Sequence, residues 1–149
     1  MNVLQKVTLN LPATAEFVDI VRLNLYGIAS KMGFSYEEIE DMKVAVSEAC
    51  NNSVLYAYND EHGTVEVTFE FDDTSLHIKV KDEGQSFERL EQAGVRPTLH
   101  EKELDDAQIG GLGFYLMQAL MDDVSVVNEA GKGTEVVLIK RITRSEEKV

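Results

Sequence analysis

Long apolar runs are absent from this chain. No stretch approaches the roughly 18 consecutive apolar residues of a membrane span. The start, MNVLQKVTLNLPAT, alternates apolar and polar residues where a secretory leader would carry a basic segment and then an apolar one, so no signal peptide is expected. Cysteine is nearly absent as well. Cys50 stands alone, no internal disulfide can form, and a reducing cytoplasm is the expected compartment. Basic residues are scarce, 14 Lys and Arg against 27 Asp and Glu, and the formal net charge is −13. Such a chain repels nucleic acid and anionic membranes at long range, so neither is expected as a direct partner. A basic protein surface would be attracted, and a bound polyphosphate would need a metal ion, backbone N–H groups or a local cation beside it.

What is present suffices for one folded domain over residues 1–149, with 44% hydrophobic residues to build a core. QKVTLNL reads as a first strand by alternation. From Thr14 to Met32, Phe17, Val21, Leu25, Ile28 and Met32 recur at helical spacing, and Gly33 is a stop. Ser35 opens a second helix, with Glu38 completing a capping box and Ile39, Met42, Ala45, Val46, Ala49 and Cys50 forming its apolar face. TVEVTFEF and SLHIKVKD alternate as strands around a DDTS turn. Residues 85–109 lack clear periodicity and contain the breakers Gly94 and Pro97, which reads as a lid or binding loop. GGLGF then leads into a short helix through Leu120, followed by strands near Val124–Val127 and Thr134–Lys140 and a frayed charged tail, residues 143–149. The expected fold is α+β: a two-layer sandwich with helices on one face of a mainly antiparallel mixed sheet.

Several residues sit uneasily in a purely structural pattern. On a wheel of the second helix Asn52 lies about 40° from Glu48, and the apolar residues run from roughly 60° to 200°, so both polar groups border the buried face. Taken alone, the pair serves equally well as local caps. Asp82 shares a strand face with Leu76, Ile78 and Val80, where an apolar residue is expected; an unpaired carboxylate there costs several kcal/mol. Gly84 would let a ligand approach the backbone closely. Gly110, Gly111 and Gly113 precede a helix, an arrangement that exposes N–H groups to an anion without matching the Walker A or dinucleotide-binding patterns. Thr134 faces inward with Val136 and Leu138.

In this order, EIEDMKVAVSEACNN, DEGQSF and GGLGFYLMQALMDDVSV resemble the GHKL nucleotide-binding fold, and within it the bacterial anti-sigma-factor serine kinases, from about Val7 to Lys140. The resemblance implies a serine-protein kinase that uses ATP and Mg²⁺. Glu48 would be its general base, and Asn52 would hold Mg²⁺. Asp82 would accept the adenine amino group, with Gly84 and Thr134 beside the base. Gly111, Leu112 and Gly113 would offer N–H groups to phosphate. It further implies a homodimer that sequesters an alternative, stress-response (sigma-B-like) sigma factor and phosphorylates a serine of a STAS-type anti-anti-sigma protein. Arg22, on the polar side of the first helix, matches an arginine of the partner surface.

The sequence departs from the wider pattern at Ser53, Tyr56 and Ser86, and ELDDAQI, just before the glycines, carries no cation for a γ-phosphate. That last feature keeps open a second reading, a non-catalytic module whose partner surface is shaped by ATP. A detached histidine-kinase domain fits less well, because His62, His77 and His100 fall in a turn, a strand and the lid rather than in a phosphoacceptor helix. The three also lack metal-ligand spacing.

Overall fold

Alternation along four of the strands builds the sheet, because a period of two sends every second side chain to one face. The computed structural model describes residues 4–57, 63–82, 111–129 and 133–142. The expected lid, Gly84 and the charged tail lie outside them. Five strands are described: β1 (Gln5–Pro12), β2 (Thr64–Phe71), β3 (Ser75–Asp82), β4 (Asp123–Glu129) and β5 (Gly133–Arg141). Their order across the sheet is β1-β2-β3-β5-β4, and every pairing among them is antiparallel. β3 and β4 therefore run in the same direction with β5 inserted between them. Val65, Val67 and Phe69 on β2, Leu76, Ile78 and Val80 on β3 and Leu138 on β5 are buried on one face. Polar residues take the other: the Thr8 and Thr68 hydroxyls lie 3.3 Å apart, and Lys79 pairs with Glu70 at 3.1 Å. The β2–β3 turn is closed by Asp72, whose carboxylate accepts the Thr74 and Ser75 backbone N–H groups and the Thr74 hydroxyl. These bonds, the Thr74 N–H first, hold its carboxyl below the usual range.

Three described helices cover the apolar face: α1 (Val18–Met32), α2 (Tyr36–Ala57) and α3 (Gly111–Leu120). Thr14 stays extended and offers no side-chain cap, so the turn before α1 tightens into a 3-10 turn, Ala15–Phe17, rather than starting the helix at Thr14. Gly33 ends α1 at φ 101°, its N–H bonding the Ser30 carbonyl while the Phe34 N–H reaches Ala29. Two residues later α2 begins with the expected reciprocal cap. The Glu38 carboxylate accepts the Ser35 N–H at 2.9 Å, and the Ser35 hydroxyl accepts the Glu38 N–H at 3.1 Å. α2 is the central helix, touching α1, α3 and strands β2, β3 and β5. All six of its expected apolar positions, Ile39, Met42, Ala45, Val46, Ala49 and Cys50, are buried. Fully burying one such aliphatic side chain stabilises the fold by about 1.5–3 kcal/mol, so this stripe anchors α2 firmly on the sheet. α3 is tied down by buried Met117 and by Lys140, which donates to the Leu120 carbonyl at 3.0 Å.

Candidate functional site

Asp82 and Thr134 stand at the sheet end where β3 finishes and β5 begins. Cys50 of α2 shares a small apolar cavity with Leu11, Pro12 and Val65. Val65 is in turn the register partner of Asp82 at the end of β3. The C-terminal half of α2 therefore lies over the sheet end where β3 finishes and β5 begins.

Asp82 occupies the core position that alternation assigns it and is 3% exposed. A carboxylate so placed needs hydrogen-bond donors. One is the backbone N–H of Thr134, 3.4 Å from Oδ1. Gly133 precedes it with φ 103°, a left-handed conformation that suits glycine and sets the start of β5. Thr134 is itself buried and faces the helices.

Glu48 and Asn52 are half-buried at the border of the α2 stripe, as their wheel positions require. The Glu48 side chain leans against the first turn of α3, close to the α-carbon of Gly113. The N–H groups of that turn, which includes Gly111, Leu112 and Gly113, have no partner within the helix, and the dipole favours negative charge there. A proton-accepting carboxylate and an anion-favouring helix start thus stand side by side. That pair can hold a phosphoryl group and take the proton of a hydroxyl that attacks it.

Arg22 of α1 is partly exposed and reaches towards α2. It lies in the seam with α2, where its Nη1 donates to the Ser47 hydroxyl at 3.1 Å and its Nη2 pairs with Asp19. The Ser47 hydroxyl in turn donates to the Lys43 carbonyl at 2.7 Å. Buried Ser47, the residue before Glu48, was not singled out by sequence reasoning; its only signal was a hydroxyl between two apolar helix positions. Burial pushes the neighbouring Cys50 thiol up to about 12, with Arg22 pulling the other way. No helix among the described residues is long and apolar enough to cross a membrane.

The donor set suits magnesium carried largely by a nucleotide. Among the described residues no three His, Cys, Asp or Glu side chains cluster as a self-sufficient metal site. The Asn52 amide oxygen, one turn from Glu48, is a hard ligand of the kind Mg²⁺ accepts beside phosphate oxygens and water.

A family model described as histidine kinase-like ATPase domain matches residues 11–140. The chain is 50% identical over 122 residues to a serine-protein kinase RsbW of Bacillus licheniformis, covering 80% of this chain and 76% of that protein. It is 46% identical over 127 residues to the RsbW of Bacillus velezensis, covering 84% and 79%. A crystal structure of the RsbU and RsbW domains of a Mycobacterium tuberculosis protein superposes with a TM-score of 0.66 at 22% identity, covering 93% of this chain and 32% of that one. At that identity the likeness supports the fold alone.

Proposed function

The chain belongs to the histidine kinase-like ATPase domain family, and within it to the serine-protein kinases RsbW, and from that premise we propose an anti-sigma factor with two activities. It sequesters an alternative sigma factor of the stress-response, sigma-B-like kind. It also uses Mg-ATP to phosphorylate a serine of a STAS-type anti-anti-sigma protein. The working form is a cytoplasmic homodimer. The observation that carries this reading is the placement of the Glu48 carboxylate against the first turn of α3.

In the proposed reaction the partner serine oxygen attacks the γ-phosphorus, its proton passes to Glu48, and the bond to the β-phosphate oxygen breaks to release ADP. The backbone of Gly111, Leu112 and Gly113 holds the phosphates, and Asp82 reads the adenine amino group with Thr134 alongside; Gly84, outside the described residues, would let the base approach the backbone closely. Asn52 would hold Mg²⁺, which when bound neutralises charge on the phosphates. Arg22 contacts the protein partner; its bond to Ser47, the residue preceding the base, is compatible with that role.

Transfer of labelled γ-phosphate from Mg-ATP to the antagonist protein tests the reading, with Glu48→Gln as the control. The wild type is expected to label a partner serine. The variant should bind ATP with affinity within a few-fold and transfer about 10²–10⁴-fold more slowly. Bound nucleotide without transfer by the wild type would instead support the ATP-shaped binding module.

A further inference from the structure

We infer that Gly113 is a positioning residue for the base: it is glycine because the Glu48 carboxylate occupies the space its side chain would fill. The inference rests on the reading of Glu48 as base. A Cβ added at Gly113 would stand 2.6 Å from Glu48 Oε1, 3.6 Å from its Cδ and 3.7 Å from its Cβ, the three nearest atoms beyond its own helix turn and chain neighbours among the described residues. Backbone conformation does not require glycine here. Among the described glycines only Gly33 and Gly133 have positive φ, and inside a helix alanine is favoured over glycine. Phosphate binding does not require it either, since any residue but proline supplies the N–H. Gly27 provides the contrast: it too is helical, and a Cβ there meets nothing within 4 Å.

Neither helix can readily yield to the missing methyl. α2 is held by Met42, Ala45, Val46 and Ala49, each fully buried, and α3 by Met117 and the Lys140 bond to Leu120. The flexible part is the Glu48 carboxylate itself. Gly113→Ala therefore leaves the fold intact and pushes the carboxylate out of the seam, away from the helix start that it faces. Gly113 touches neither the hydroxyl nor its proton; it acts through Glu48.

The test combines transfer kinetics, nucleotide affinity and thermal unfolding of nucleotide-free protein for wild type, Gly113→Ala, Glu48→Ala, the two combined, and Glu48→Asp with Gly113→Ala. Gly27→Ala serves as the thermal control for a helical glycine. Gly113→Ala is expected to lower kcat by about 10- to 100-fold, the scale of a misplaced reacting group, with ATP affinity within about threefold. In the Glu48→Ala background the same substitution should change the residual rate less than about twofold and raise the melting temperature as Gly27→Ala does. Pairing it with Glu48→Asp, whose shorter side chain clears the methyl, should recover part of the rate. A large loss of ATP affinity with kcat preserved, or an equal loss of rate whether or not Glu48 is present, would overturn the inference and leave Gly113 as phosphate cradle alone. A wild type without transfer would instead overturn the kinase reading. The thermal cycle still reports the contact in that case: no stability coupling between the two positions would overturn it independently of any activity.

Discussion

The backbone N–H of Thr134, second on β5, points at the carboxylate of Asp82, last on β3, across 52 residues of sequence. Asn can accept that bond through its own Oδ1 but offers an amide N–H₂ in place of the second carboxylate oxygen. Asp82→Asn is therefore expected to melt within a few degrees of the wild type and to bind ATP and ADP at least about tenfold more weakly, since a hydrogen bond to a charged acceptor contributes roughly 1.5–3 kcal/mol. Calorimetric titration of the variant checks this. Unaltered nucleotide affinity would remove Asp82 from the adenine site.

Asp19 and a protein partner would compete for one guanidinium. The Asp19–Arg22 pair is exposed, and exposed pairs are worth about 0–1 kcal/mol. Asp19→Asn should thus tighten the partner by up to about fivefold, while Arg22→Ala should weaken it well beyond that and leave ATP affinity unchanged. Surface plasmon resonance with the antagonist protein measures both. A partner indifferent to Arg22→Ala would assign that arginine to the α1–α2 seam only.

Cys50 gives the fold an alkaline edge. Its thiol ionises near 9.0 when unfolded and at about 12 when folded, burial being the cause. The folded-state value is raised, so the native state gains fully below pH 9 and loses that advantage as pH rises from 9 towards 12. The slope approaches about 1.4 kcal/mol per pH unit. Urea unfolding across that window should show a steeper decline for the wild type than for Cys50→Ala, the difference cancelling lysine and tyrosine titration. Parallel curves would refute the shift. Native protein should also resist thiol reagents that label it at once when unfolded.

At the entry to α2, Ser35→Ala removes the acceptor for the Glu38 N–H. Loss of such a cap costs about 1 kcal/mol, or about 2–4 °C in melting temperature for a chain of this size. Scanning calorimetry resolves that shift. A change under half a degree would mean water replaces the serine fully.

The elements were legible where one physical period dominated. TVEVTFEF and SLHIKVKD match β2 and β3 residue for residue because the apolar residues of each lie on a single face. The α2 stripe and its cap were equally plain, and alternation alone marked Asp82 as a carboxylate in a core position. What remained illegible depends on contacts between distant segments. No local pattern says that β5 enters beside β3, or that Gly113 of α3 faces Glu48 of α2. Nor does a wheel say that Arg22 reaches Ser47: it gives the direction of the Cβ, while the charged head ends a long stem that crosses to α2.

The strand order has a consequence for how the chain acquires its binding surface during synthesis. β5 is the last strand described, yet it sits inside the sheet, between β3 and β4. Until it inserts, β3 presents an unpaired edge and Asp82 lacks its Thr134 donor. Contacts of such sequence separation form late, because the intervening loop must be closed first. A nascent chain released before residue 133 would thus hold the α2 carboxylate and amide and the α3 turn without the proposed floor for the adenine base. Nucleotide would then act as a reporter of completed folding, captured only by chains whose C-terminal strand has arrived, and it would stabilise those chains selectively.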